Sequence, residues 1–472
     1  MKNWADAKRA VMPMFWLTAV ALGYAVTQNQ TLAVTFGAAA VLVTLALSLK
    51  PGTLLVCVAI LIPFRVVEAF VPIIRGGVTM ADGFLVAFVL SALVRRRAFS
   101  SRRVSAMVVA LLVAVIFVGL ASIVNGGFYD VGVRKVGRVA VIFLSYLAAM
   151  RSLGREEAIR AAKVFVIACA ASAVVGLAFM ARSVGVPGVD LLRLWGGVED
   201  PNQMAVVLGA AFVLALAWRP RDVPGGLWLG CTLMLLVAQL ASVSRGGASA
   251  FAAGVLLVLI LALWARLSGR SPSVFSRSGG ILVLFAAAVG LGTAYIPSTI
   301  TGTAVLRYQG LLNPTADATG AFRIRLWEAG GRMLAQSPVL GVGPGAFGLA
   351  LVATGSFTQA WEAHSSIVEI AVETGYMGAG LVAVALGAWS VLAGRAYSRA
   401  IRTLDVPNES VSLASGLMGA TGAVIVGGAS LSNVLYQPLF AMLIILSIAV
   451  LAGQERVKGG ASVEAAAGTC QA

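Results

Sequence analysis

The sequence has one histidine, His364, in 472 residues. It stands in "WEAHSSIVEIAVETGYMG" (361–378), with Glu362 before it, Glu369 and Glu373 after it, and an apolar run beyond. The "SS" after His364 reads as the N-cap of a helix. An imidazole near a helix start is held neutral, because the positive end of the dipole disfavours the cation. A neutral imidazole can accept a proton, as a general base must. The alternative is a polar residue heading a short helix, without chemistry. A histidine-cluster metal site is excluded, since no second histidine exists. The expected metal set is therefore none, although carboxylates alone can hold an ion. Glu369 and Glu373 share a helix face at i, i+4; they orient the helix, hold a substrate or face water.

Arginines supply the complementary charge. Arg245 lies in "SVSRGG" (242–247), where the two following glycines allow close approach of backbone or ligand. It is an anion site or a snorkelling side chain. Arg323 and Arg325 lie in "FRIRLWE", and Arg323 shares a helical face with Trp327. Guanidinium forks match phosphate oxygens. The alternative is a solvated helix face. In "EDPNQMA" (199–205), Asp200 or Asn202 caps a helix that starts at Pro201, or contacts a polar substrate. "GVGPGAF" (341–347) lacks the GK[ST] of a P-loop and reads as a rigid turn.

The elements that carry these residues belong to a membrane protein. Mean hydropathy is +0.93 and 11% of residues are charged, against about 25% in soluble chains. Apolar runs occur at 11–27, 31–49, 52–64, 78–94, 104–124, 136–150, 162–181, 202–218, 227–243, 247–265, 279–296, 376–394, 411–428 and 438–452. A span needs about 20 such residues, and the runs lack the alternation of a β-barrel. The expected fold is all-α and polytopic, with about 12 (12–14) transmembrane helices. The net charge of +16 is no sign of nucleic acid, because the basic residues sit at the ends of apolar runs. Most lie on one side of the trace, in segments such as "RRRAFSSRR" (95–103) and "GRAYSRAIR" (394–402). That side is cytoplasmic by the positive-inside bias, and both termini fall on it. The run 11–27 reads as a retained helix rather than a cleaved signal. Cys57, Cys169 and Cys231 lie in apolar runs and Cys470 in the tail, with neither disulfide nor metal spacing.

Four segments follow: a helix bundle over 1–296, an outer loop subdomain over 297–375, further spans over 376–452, and a cytoplasmic tail over 453–472. The long loop exceeds the length usual for structureless connections. It contains helical stretches at 322–335 and 364–373, with the "SPVLGVGPGAF" turn between them.

A site on the outer face has no nucleotide available, and no nucleotide-binding or zinc motif occurs. A donor activated beforehand is needed, such as a polyprenyl pyrophosphate sugar, whose leaving group arginines would stabilise. The order "SVSRGG", "FRIRLW", "SPVLGVGPGAF", "AHSSIVEIAVETGYMG", together with "PNQMA", resembles the bacterial O-antigen ligase and polymerase superfamily. The motifs span roughly 195–380, and the topology spans the chain. The resemblance implies an inner-membrane glycosyltransferase with a large periplasmic loop and no cofactor. Its ligases transfer O-antigen polysaccharide from undecaprenyl pyrophosphate to a sugar of lipid A-core, completing lipopolysaccharide, by metal-independent and inverting chemistry. On this resemblance His364 is the base, Arg245 binds pyrophosphate, and Arg323 or Arg325 is the second arginine. Partners are the two lipid-linked saccharides and membrane lipids. A polymerase of the same superfamily is the alternative. A transporter is less favoured, because ionisable residues are scarce inside the runs, Asp82 and Arg138 being the exceptions.

Overall fold

The computed structural model describes residues 41–64, 79–95, 102–182, 200–270, 318–403, 406–432, 434–447 and 449–450. The spans expected at 11–27 and 279–296, most of 31–49, the segment 65–77, nearly all of 182–201 and the tail 453–472 lie outside them.

Among the described residues the structure is helical, with no strand. The helices are α1 (Pro51–Leu61), α2 (Met80–Val94), α3 (Arg102–Gly126), α4 (Tyr129–Ser152), α5 (Arg155–Arg182), α6 (Pro201–Ala217), α7 (Gly225–Ala241), α8 (Arg245–Leu267), α9 (Ala318–Gln336), α10 (Phe347–Ala353), α11 (Ser366–Arg402) and α12 (Asn408–Gly428). A short apolar helix, α13 (Pro438–Ser447), follows. Among the described residues, five helices are long and apolar enough to cross a membrane: those at Ala106–Gly126, Arg155–Phe179, Arg245–Leu267, Ser366–Arg402 and Asn408–Gly428. This is consistent with a polytopic membrane protein.

Small residues decide which helices sit at the centre. α6 is buried on nearly every side, from Met204 to Ala217, as a helix apolar all round must be. It packs against α8 and α12. A Cβ at Gly254 of α8 would lie 2.9 Å from the Ala423 side chain, and one at Gly419 of α12 would lie 3.0 Å from the Gly254 carbonyl. In a bilayer such contacts, rather than expulsion of water, hold helices together. α3 does the opposite. Val113, Phe117, Leu120 and Val124 form an exposed apolar stripe at helical spacing, a face suited to lipid tails.

Cations finish helix ends. The buried guanidinium of Arg270 donates from Nε to Ile401 O (2.9 Å), at the end of α11, and from Nη1 to Val406 O (3.1 Å) in the turn that follows. Arg95 donates to Leu47 O (3.2 Å) at the end of the helical residues 41–48.

One finding differs from the sequence reading. The gap between the runs 104–124 and 136–150 is not a loop, because α4 begins at Tyr129 and only a short turn precedes it. The run 136–150 is short because Arg134, Lys135 and Arg138 occupy the first turns of that helix. The helical stretch 364–373 and the run 376–394 meet in α11 at a break, Gly375 (φ 64°, ψ −170°), where the sequence reading also divides them.

The break at Gly375 is closed by the loop 337–347. Val342 and Gly343 N–H donate to Val372 O (3.0 Å) and Glu373 O (2.9 Å). Tyr376 N–H donates to Pro338 O (2.8 Å). The groups that a helix break leaves unpaired are thus satisfied by one loop. Asn125 Nδ2 of α3 donates to Gly341 O (2.8 Å), and Ser122 Oγ lies 2.7 Å from Glu373 O. A second, smaller core gathers Leu326 and Met333 of α9, Phe347 and Leu351 of α10, and Val372 of α11.

Candidate functional site

His364 lies just outside α11. Ser365 is the N-cap, its Oγ accepting from Val368 N–H at 3.3 Å. His364 takes a left-handed conformation (φ 52°). Val243 does the same (φ 48°), immediately before Ser244, the N-cap of α8. Left-handed backbone in non-glycine residues costs of order 1–3 kcal/mol and tends to cluster at functional sites; for a β-branched valine it is a marked departure.

Three helix starts meet here. Asp200 caps α6, its Oδ1 accepting from Asn202 N–H at 2.8 Å, and Pro201 occupies the first helical turn. Ser244 Oγ accepts from Gly247 N–H (3.1 Å) and donates to Asn202 Oδ1 (3.0 Å), tying α8 to α6. α8 and α11 share the turn after α12. A Cβ at Gly246 would come within 2.1 Å of Ser430 Oγ, while Ser366 N–H and Oγ both donate to Leu431 O (2.9 and 2.7 Å). The charge of Asp200 acts on His364, which closes the triangle. Helix starts carry partial positive charge and unpaired N–H groups, so they favour anions.

Burial lowers the pKa of His364, and the positive charge of Arg323 lowers it further; Asp200 and Glu369 pull it back up. The imidazole is therefore biased toward its neutral form by desolvation and a neighbouring cation. Trp327 Nε1 donates to Ala363 O (2.8 Å) and so fixes the backbone beside His364. Arg323 and Arg325 lie in the same helix, but only Arg323 is among the charges acting on His364; Arg325 is exposed. Arg245 is half-buried at the first residue of α8.

Glu369 and Glu373 do not face water. They are buried and share one ammonium, with Lys135 Nζ at 2.6 Å from Glu369 Oε1 and 2.7 Å from Glu373 Oε2. Arg138 Nη2, one turn on, lies 3.0 Å from Asp82 Oδ2. The exceptional charges in the apolar runs thus pair with each other. Lys135 was missed from the sequence. The available signal was the cluster Arg134, Lys135, Arg138 heading an apolar helix, which calls for carboxylates from elsewhere. A cavity of about 340 Å³ opens beside this lysine, lined by α4, the start of α10 and residues 360–362. Among the described residues, no group of three or more His, Cys, Asp or Glu is arranged to hold a metal ion.

Fold and site together define a helical membrane protein with its only histidine at converging helix starts, under the charge of Arg323. Residues 229–383 match the family model described as O-antigen ligase, and the match supports membership of the O-antigen ligase superfamily. The family implies a glycosyltransferase-like enzyme that acts on lipid-linked polysaccharide. The matched stretch includes Arg245, Arg323, Arg325, Trp327, His364, Glu369 and Glu373, while Asn202, Lys135 and Arg138 lie before it. No curated protein matches the chain significantly.

Proposed function

We propose that this chain is an O-antigen ligase of the bacterial inner membrane. It transfers O-antigen polysaccharide from undecaprenyl pyrophosphate to a sugar hydroxyl of lipid A-core at the periplasmic face. The observation that carries the proposal is the meeting of three helix starts and Arg323 around a desolvated His364. His364 takes the proton from the acceptor hydroxyl. The oxygen attacks the anomeric carbon, the bond to pyrophosphate breaks, and its electron pair leaves with the pyrophosphate. Arg245, Arg323 and the helix starts stabilise that departing charge. Attack opposite the leaving group inverts the anomeric centre, and no metal is required. Both termini are cytoplasmic in this topology.

The test is transfer by purified protein from lipid-linked polysaccharide to lipid A-core. His364→Ala should lose roughly 10²–10⁴-fold in rate while inserting normally in membranes. Undiminished transfer would end the reading of His364 as base. In cells lacking the protein, bare core with unattached polymer identifies a ligase. A single repeat unit on the core identifies a polymerase instead.

A further inference from the structure

We infer that the cavity beside Trp361 is a saccharide subsite that takes an uncharged sugar ring of the acceptor. This rests on the glycosyl-transfer reading above. The cavity, about 340 Å³, falls within the range of ligand pockets, roughly 300–1,000 Å³. Its lining charges are balanced: Arg134, Lys135 and Arg138 stand against Glu362, Glu369 and Glu373. The cations are also engaged, Lys135 by both buried glutamates, Arg138 by Asp82 and Arg134 by Asp130 (3.1 Å). A pyrophosphate would meet carboxylates here with no surplus of positive charge. A sugar hydroxyl both donates and accepts, so it can give to Glu362 and take from Arg134.

The aromatic wall supplies the other half of sugar recognition. Trp361 is 40% exposed. Phe322 meets it edge-on (5.1 Å between centroids, 78°), and Phe357 braces Phe322 in turn (5.9 Å, 87°). An indole held in place offers an apolar face to the C–H side of a pyranose at low entropic cost. The subsite also adjoins the base. Glu362 is two residues from His364, and Glu369, which lines the cavity, acts on the imidazole by its charge.

The experiment is saturation-transfer NMR on the full chain in nanodiscs, with methyl hexosides as probes and inorganic pyrophosphate as competitor. Methyl hexosides should bind, and excess pyrophosphate should not displace them. Trp361→Ala should weaken binding roughly three- to tenfold, whereas Trp361→Phe should keep most of it. Absence of hexoside binding to the native chain, displacement by pyrophosphate, or unchanged binding in Trp361→Ala would each overturn the subsite. Binding is read without transfer, so the two proposals fail separately. Full transfer by His364→Ala with hexoside binding intact removes only the base, and lost binding with transfer still dependent on His364 removes only the subsite.

Discussion

A general base at His364 must be neutral when the acceptor arrives. Burial and Arg323 depress its pKa below the ordinary value of about 6.5, against the pull of Asp200 and Glu369. The sign follows: protonation abolishes the base, and a depressed pKa postpones protonation to lower pH. The rate should hold as pH falls through 6.5 and drop only below it, about tenfold per pH unit. Arg323→Gln removes a neighbouring positive charge and should move this acid limb upward, as a pH–rate profile would read. A native limb above 6.5 would contradict the environment described. His364 and the arginines could be picked from the sequence because they are rare or oddly placed residues. Both Arg323 and Arg325 stay open from spacing, since both precede Trp327 in one helical stretch; the charge that acts on His364 is that of Arg323, and Arg325 is exposed. Lys135 escaped for a related reason: its partners lie more than two hundred residues away in the chain, and spacing carries no trace of them.

At the scale of elements, α11 is the informative case. As one rod, its 37 residues would run about 55 Å, well beyond the ~30 Å hydrocarbon core. The boundary near 375 was readable from the change from polar to apolar composition. Its backbone geometry was not, because the splint that allows it comes from residues 337–347. Gly375 has positive φ, and a Cβ there would meet Val339 O at 2.2 Å. Gly375→Ala should therefore cost at least about 1–3 kcal/mol, measured as a fall in melting temperature of the detergent-solubilised chain. The "GVGPGAF" turn replaces hydrogen bonds that α11 gives up, through Val342 and Gly343 N–H.

Across the whole molecule, hydropathy finds helices without saying which are neighbours. α3 and α6 are comparably apolar in sequence, yet one exposes an apolar stripe and the other is enclosed. The difference lies in partners, which periodicity cannot name. Lys135 joins two bodies of structure, the α4 side of the bundle and the first limb of α11. Lys135→Met leaves two buried carboxylates without their cation and should destabilise by about 3–5 kcal/mol. Adding Glu369→Gln and Glu373→Gln should recover much of that loss, because removing all the charges is far less costly than stranding two. Thermal unfolding of the single and triple variants tests this; equal losses in both would show that the ion pairs are not the link.

The splint at Gly375 also sets a unit of motion. Val342 and Gly343 give their amide protons to the first limb, and Tyr376 and Met377 of the second limb give theirs to Pro338 and Val339. None of these bonds can open alone without loosening the others. Their protection against solvent exchange should therefore rise and fall together, as a single foldon that links the two limbs of α11.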